Sequence, residues 1–183
     1  MRKVVIQGRR GFTLVELMIV VAIVGVLAVL AIYGVRKYIA NSKTTEARNS
    51  LGEIKNDQAS AFEREAGGTT VLAPGGTTSF LRQLCDNGAA IPTSATTIQA
   101  LKYQSAKTDW ADGKGWQCLK FSLEQPQYFQ YTFTGGTAAS SYVATANGDL
   151  NGDTNLSTFS ISGSIQSGIL NTSPTIGEVN PEE

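Results

Sequence analysis

Glu16 is the one ionisable side chain in a stretch that is otherwise uncharged: Phe12-Thr13-Leu14-Val15-Glu16-Leu17-Met18-Ile19-Val20. From Leu17 to Val35 no residue carries a charge. At about 1.5 Å per residue, a helix over that run covers roughly 28 Å, enough to cross a bilayer core. An ionised carboxylate in lipid costs several kcal/mol unless a cation meets it. The chemistry open to Glu16 is ion pairing, and the chain has to supply the partner. The other reading places Glu16 at the headgroup level of an ordinary signal anchor.

A second set of candidate groups lies in Asn147-Gly148-Asp149-Leu150-Asn151-Gly152-Asp153-Thr154-Asn155. Asp149, Asn151, Asp153 and Asn155 alternate, and a calcium loop needs several hard oxygens in a small ring. These four are the candidate calcium ligands. The glycine is misplaced for the EF-hand pattern, and no bidentate Glu follows at the right distance. The alternative is a tight polar connection between strands, since Asn-Gly and Gly-Asp favour turns. The chain has two cysteines, Cys85 and Cys118, and no histidine. Without histidine or Cys-x-x-Cys, a zinc site and the usual general-base triads have no residues to build on. No phosphate-binding glycine loop follows a strand. The sequence predicts no catalytic residue.

Ahead of the apolar run, a leader carrying Arg2, Lys3, Arg9 and Arg10 ends at Gly11-Phe12. A secretory signal has an apolar region of about 7–15 residues and then a small-x-small cleavage site. Here the run is longer, and Leu27 to Ile32 offers no such site. The string Gly11-Phe12-Thr13-Leu14-Val15-Glu16-Leu17-Met18-Ile19-Val20-Val21-Ala22-Ile23 resembles the class III signal of type IV pilins. The resemblance runs from the leader to the end of the apolar run.

The resemblance implies a specific chemistry. A prepilin peptidase cuts between Gly11 and Phe12 on the cytoplasmic side and N-methylates Phe12, leaving the helix attached. Glu16 then pairs with the Phe12 amine of a neighbouring subunit during assembly. Charge physics supports this pairing: both groups sit in low dielectric, where attraction is strong and an unpaired charge is costly. Methylation leaves the amine basic. The implied partners are identical subunits in a homopolymer, the peptidase, and pilus assembly machinery in the inner membrane. The implied localisation is inner membrane before assembly and extracellular fibre after it. The implied role is a retractable surface fibre for twitching or gliding motility and adhesion.

Charge has to be counted after processing. The full chain has 15 basic and 15 acidic residues. Losing the four basic leader residues leaves eleven basic side chains against fifteen acidic ones, a net charge of −4. That balance does not suggest a nucleic-acid binder. The basic leader suits the cytoplasmic side, although Arg36, Lys37 and Lys43 follow the apolar run.

The elements that must position these groups form an α+β chain. Residues 1–11 are the cleaved leader, and residues 12–35 the membrane-spanning, fibre-core half of a long helix. Residues 36–66 continue it as an amphipathic helix, with Ile39, Ala47, Leu51, Ile54, Ala61 and Phe62 at mostly three- and four-residue steps. Gly67-Gly68 ends it. Many type IV pilins carry a proline after the apolar run, where this chain has Ile32-Tyr33-Gly34, so the helix has less reason to kink.

Residues 67–115, rich in Gly, Thr, Ser and Ala, read as a connecting αβ loop, with an apolar piece at Phe80-Leu81. Residues 116–165 read as a four-stranded antiparallel sheet, with strands near 116–123, 128–134, 141–146 and 157–162. Leu119, Phe121, Leu123, Phe129, Tyr131 and Phe133 are the face expected to meet the helix stripe. Residues 166–183 read as an extended or fraying tail. A long helix backing such a sheet is the pilin fold in architecture. In an exported head, a Cys85–Cys118 bridge would tie the loop to the first predicted strand. Two buried free thiols are the alternative.

Two further functional readings share parts of this pattern. A pseudopilin of a type II secretion system has the same leader and helix. A signal-anchored exported domain that never polymerises has the helix but no use for Glu16.

Overall fold

Residues 14–63 contain no proline, and their glycines stand singly, so nothing stops a helix there. The computed structural model describes residues 11–64, 82–136 and 139–181, and its first element is a helix, α1, spanning Leu14–Glu63. The basic leader up to Arg10, the Gly67-Gly68 stop and the Phe80-Leu81 pair lie outside the described residues. The chain divides into two units, one ending at Ile39 and one beginning at Ala40.

In the first unit every described residue is exposed. Apolar side chains cover the helix all round, which in a stable protein means that lipid or other helices surround it. Among the described residues this is the one helix apolar and long enough to cross a membrane. Each Val, Leu or Ile fully withdrawn from water contributes about 1.5–3 kcal/mol.

The second unit uses α1 differently. Thr44, Ala47, Leu51, Ile54, Gln58, Ala61 and Phe62 form one buried stripe at three- and four-residue steps. The stripe shares a core cluster with a six-stranded antiparallel sheet. Its strands are β1 (Gly88–Ile91), β2 (Gln130–Thr134), β3 (Ser141–Gly148), β4 (Ser157–Gln166), β5 (Ile169–Thr172) and β6 (Gly177–Val179). The order is β1-β2-β3-β4-β5, and β6 also pairs with β4. Register decides how the core fills. Tyr131 and Phe133 on β2 face Ala146 and Ala144 on β3, and these face Phe159 and Ile161 on β4. Small residues on the middle strand leave room for large ones on both neighbours, which is how close packing is reached.

The four-stranded expectation needs three corrections. Residues 116–123 do not form a strand. Gly115–Leu119 is a short helix, α2, burying both Trp116 and Leu119. Asp112 starts it by accepting the backbone N–H of Lys114 at 2.9 Å and of Trp116 at 3.2 Å. Gly115 is needed there because a Cβ would lie 2.4 Å from the Gly88 nitrogen. The connecting segment supplies β1 instead, held at Ala89 by the Trp116 indole N–H at 2.8 Å. The tail does not fray within the described residues, since Ile169–Thr172 and Gly177–Val179 both pair with β4. Ser167 and Gly168, with φ of 52° and 78°, make the two-residue turn that starts this pairing.

Candidate functional site

Gly11 and Phe12 precede α1 without regular structure. Gly11 has nothing within 4 Å of where a Cβ would stand, and Phe12 is 86% exposed. Glu16 lies in the first turn of the helix. Its Oε2 accepts the Thr13 backbone N–H and the Thr13 hydroxyl, each at 2.8 Å. The Glu16 N–H donates back to Thr13 Oγ1 at 3.3 Å. This is a capping box: the residue before the helix and the third residue inside it satisfy each other's end groups. Thr13 is the residue that charge reasoning misses. Its signal is present in the sequence, because Thr-x-x-Glu directly before an apolar run marks a helix start. The arrangement turns the acid toward the N-terminal end of its own helix, where Phe12 stands.

Cys85 and Cys118 form a disulfide with Cα atoms 5.7 Å apart. Both cysteines are also tied to the end of α1. The Cys85 N–H donates to Gln58 Oε1 at 3.2 Å, and Arg64 Nη2 donates to the Cys118 carbonyl at 2.6 Å. The bridge therefore joins the loop before β1 to α2, with α1 bonded at each end.

The loop between β3 and β4 holds the four candidate calcium ligands at unequal depth. Asp149 is fully buried, while Asn151, Asp153 and Asn155 are exposed. The Asp149 carboxylate accepts the Gly152 N–H at 2.6 Å and the Thr154 N–H at 3.0 Å. Asn151 accepts the Asp153 N–H at 2.9 Å, and Asp153 accepts the Asn155 N–H at 2.8 Å. Among the described residues no three acidic or thiol side chains gather where they could hold a metal.

Two further acids fasten α1 within the head. Glu46 Oε1 accepts the Tyr128 N–H at 2.9 Å and the Tyr131 hydroxyl at 3.2 Å. Burial pushes the Glu46 carboxyl above the usual range, partly offset by these bonds and by the Lys102 charge. Arg48 grips Glu178 of β6 with two nitrogens, at 2.7 and 3.1 Å, and this bond holds Glu178 below the usual range.

The family described as "Prokaryotic N-terminal methylation motif" matches residues 6–32, the segment that holds Gly11, Phe12, Thr13 and Glu16. The "Type IV major pilin protein PilA" of Myxococcus xanthus (strain DK1622) is 50% identical over 56 residues, covering 31% of this chain and 26% of its own length. The "Type IV major alpha-pilin" of Moraxella bovis is 42% identical over 74 residues, covering 40% of this chain and 45% of its own. The match thus spans less than half of either relative. The "Fimbrial protein Q" of Moraxella bovis is 32% identical over 122 residues, covering 57% of this chain and 76% of its own. No solved structure matches the chain significantly. With a helix and antiparallel head of this kind, the methylation motif at its start and a fimbrial relative matched over three quarters of its length, the chain belongs to the type IV pilin family.

Proposed function

We propose that this pilin is the structural subunit of a type IV pilus, cut between Gly11 and Phe12, N-methylated on Phe12 and polymerised through its first helix. The observation that carries the reading is a helix apolar on every side with one carboxylate in its first turn. In the membrane, Thr13 supplies Glu16 with two hydrogen bonds but no charge. In the fibre, the Phe12 amine of a neighbouring identical subunit supplies the charge, and stacked subunits cover each other's apolar faces. Breaking such a pair in low dielectric costs about 3–5 kcal/mol, enough to fix the register of each added subunit. The precursor waits in the inner membrane, assembly machinery there extracts it, and the finished fibre stands outside the cell. Retraction, surface motility and adhesion are the roles such a fibre serves.

Glu16→Ala tests the reading. It should leave cleaved, membrane-held protein and few or no fibres by electron microscopy, whereas normal piliation would refute the assembly role. A pseudopilin would share the leader and helix, but the relatives named as major pilins and fimbrial proteins favour the pilus. Deleting the chain should remove long surface fibres from sheared preparations; their persistence would favour the secretion role.

A further inference from the structure

The loop between β3 and β4 carries a second pattern that the assembly reading does not use. The chain there runs Asp153-Thr154-Asn155-Leu156-Ser157. Asn-x-Ser/Thr, with x not proline, is the acceptor tripeptide for N-linked glycans in exported proteins. One other tripeptide of this form occurs, Asn171-Thr172-Ser173.

Both asparagines are exposed, and the residue two places before each one distinguishes them. Asn155 is exposed and outside any strand. Its carboxamide is also held in place: Nδ2–H donates to Asp153 Oδ2 at 3.1 Å, and the backbone N–H donates to Asp153 Oδ1 at 2.8 Å. Asn171 has Ile169, not an acid, at the corresponding position. An amide nitrogen is a weak nucleophile because its lone pair is shared with the carbonyl. A carboxylate on its N–H orients the group and opposes that sharing.

We propose that Asn155 is a site of N-linked glycosylation, with Asp153 as its positioning residue. The donor is a saccharide activated as a lipid-linked diphosphate, brought by a transferase on the exported side of the membrane. Asn155 Nδ2 attacks the anomeric carbon and a C–N bond forms. The bond from that carbon to the diphosphate oxygen breaks, the lipid diphosphate leaves, and the amide proton passes to a base of the transferase. No oxidant or reductant is involved. The tripeptide's hydroxyl residue sets the timing. Ser157 is fully buried at the first position of β4, its hydroxyl donating to the Gly148 carbonyl at 3.0 Å. A transferase that reads this hydroxyl acts before Ser157 pairs with Gly148, while the head is emerging, and the Asp153–Asn155 bonds span only two residues and need no closed sheet. Asn155 then stays outside the closed sheet, and the glycan does not disturb the core.

The inference rests on the head being exported, as in the proposed function. Protein from sheared fibres and membranes of the producing cells is weighed intact, then cut before aspartates and sequenced by tandem mass spectrometry. The peptide beginning at Asp153 should carry saccharide on Asn155. Asn155→Gln should return the mass to that of the bare polypeptide, Asn171→Gln should leave the glycan in place, and Asp153→Ala should lower occupancy severalfold. Bare Asn155 throughout, or saccharide that survives Asn155→Gln, overturns the proposal. The same spectra read the N-terminus, so failure of cleavage at Gly11-Phe12 is seen separately from a bare Asn155.

Discussion

Glu46 gives the sharpest test of how the helix is fastened to the sheet. Glu46→Ala removes the acceptor of two donors, the Tyr128 N–H and the Tyr131 hydroxyl. Tyr131 is fully buried and loses its carboxylate acceptor, keeping only the Ser50 hydroxyl beside it, at about 1–3 kcal/mol. Tyr128 is half-buried and can recruit water, so its amide adds about 0.5–1 kcal/mol. A cost of about 2–4 kcal/mol corresponds to a melting temperature lower by roughly 10 °C for a head of this size. Glu46→Gln keeps an oxygen in place and removes only the charge that burial penalises, so it should be far milder.

The two variants also differ in their pH dependence. The folded carboxyl titrates above its unfolded value, so the folded state holds a proton that the unfolded chain has released. The stability Glu46 contributes is therefore full below the unfolded pKa and is lost as pH rises through the folded one. Relative to wild type, Glu46→Ala should cost more at pH 5 than at pH 7.5, and Glu46→Gln should cost far less than Glu46→Ala at pH 7.5. Urea unfolding of the detergent-solubilised mature protein, followed through the buried Trp110 and Trp116, reads both. A cost that grows with pH, or a Gln variant as damaging as Ala at pH 7.5, would refute the reasoning.

Three further outcomes follow from single contacts. Thr13→Val deletes the capping hydroxyl, worth about 1 kcal/mol, so amide exchange over the first turn of α1 in micelles should speed roughly fivefold; an unchanged rate means the cap is not formed. Asp149→Ala strands two loop N–H groups and should destabilise the head by about 2–3 kcal/mol equally with calcium and with chelator; a cost seen only in calcium would make Asp149 a metal ligand. Replacing Cys85 and Cys118 together by serine should lower unfolding free energy by about 3–4 kcal/mol, read from the urea midpoint, and an unshifted midpoint would mean the bridge adds nothing.

How far the sequence could be read depended on what each residue type signals. Ala47, Leu51, Ile54, Ala61 and Phe62 were legible because apolar residues repeated at helical steps. Thr44 and Gln58 occupy the same stripe but were invisible to that test, being polar; Gln58 is buried to accept the Cys85 N–H. From Trp116 onward, period two and period three predict different partners, and Asp112 decided the matter with hydrogen bonds that hydrophobicity does not record. β1, β5 and β6 are only three or four residues long and sit at sheet edges, too short for a period-two pattern to stand out, and β6 is exposed throughout. The Ser167-Gly168 turn was a readable hairpin signal, as was Thr-x-x-Glu at the helix start. Glu16 stood out because a charge beside a membrane span is rare, and Gly11-Phe12 because the surrounding string resembles a class III signal; neither depends on the fold.

The bonds that fasten α1 inside the head have a mechanical meaning. Glu46, Arg48, Gln58 and Arg64 attach the helix in turn to β2 and the segment before it, to β6, and to the two ends of the disulfide. From Glu46 to Arg64, just past the helix end, they are spread over about 27 Å at about 1.5 Å per residue. A pull along the helix axis reaches the sheet and the disulfide through four separate attachments, so the load is divided among them. A head built this way does not hang from a single contact when its helix is drawn.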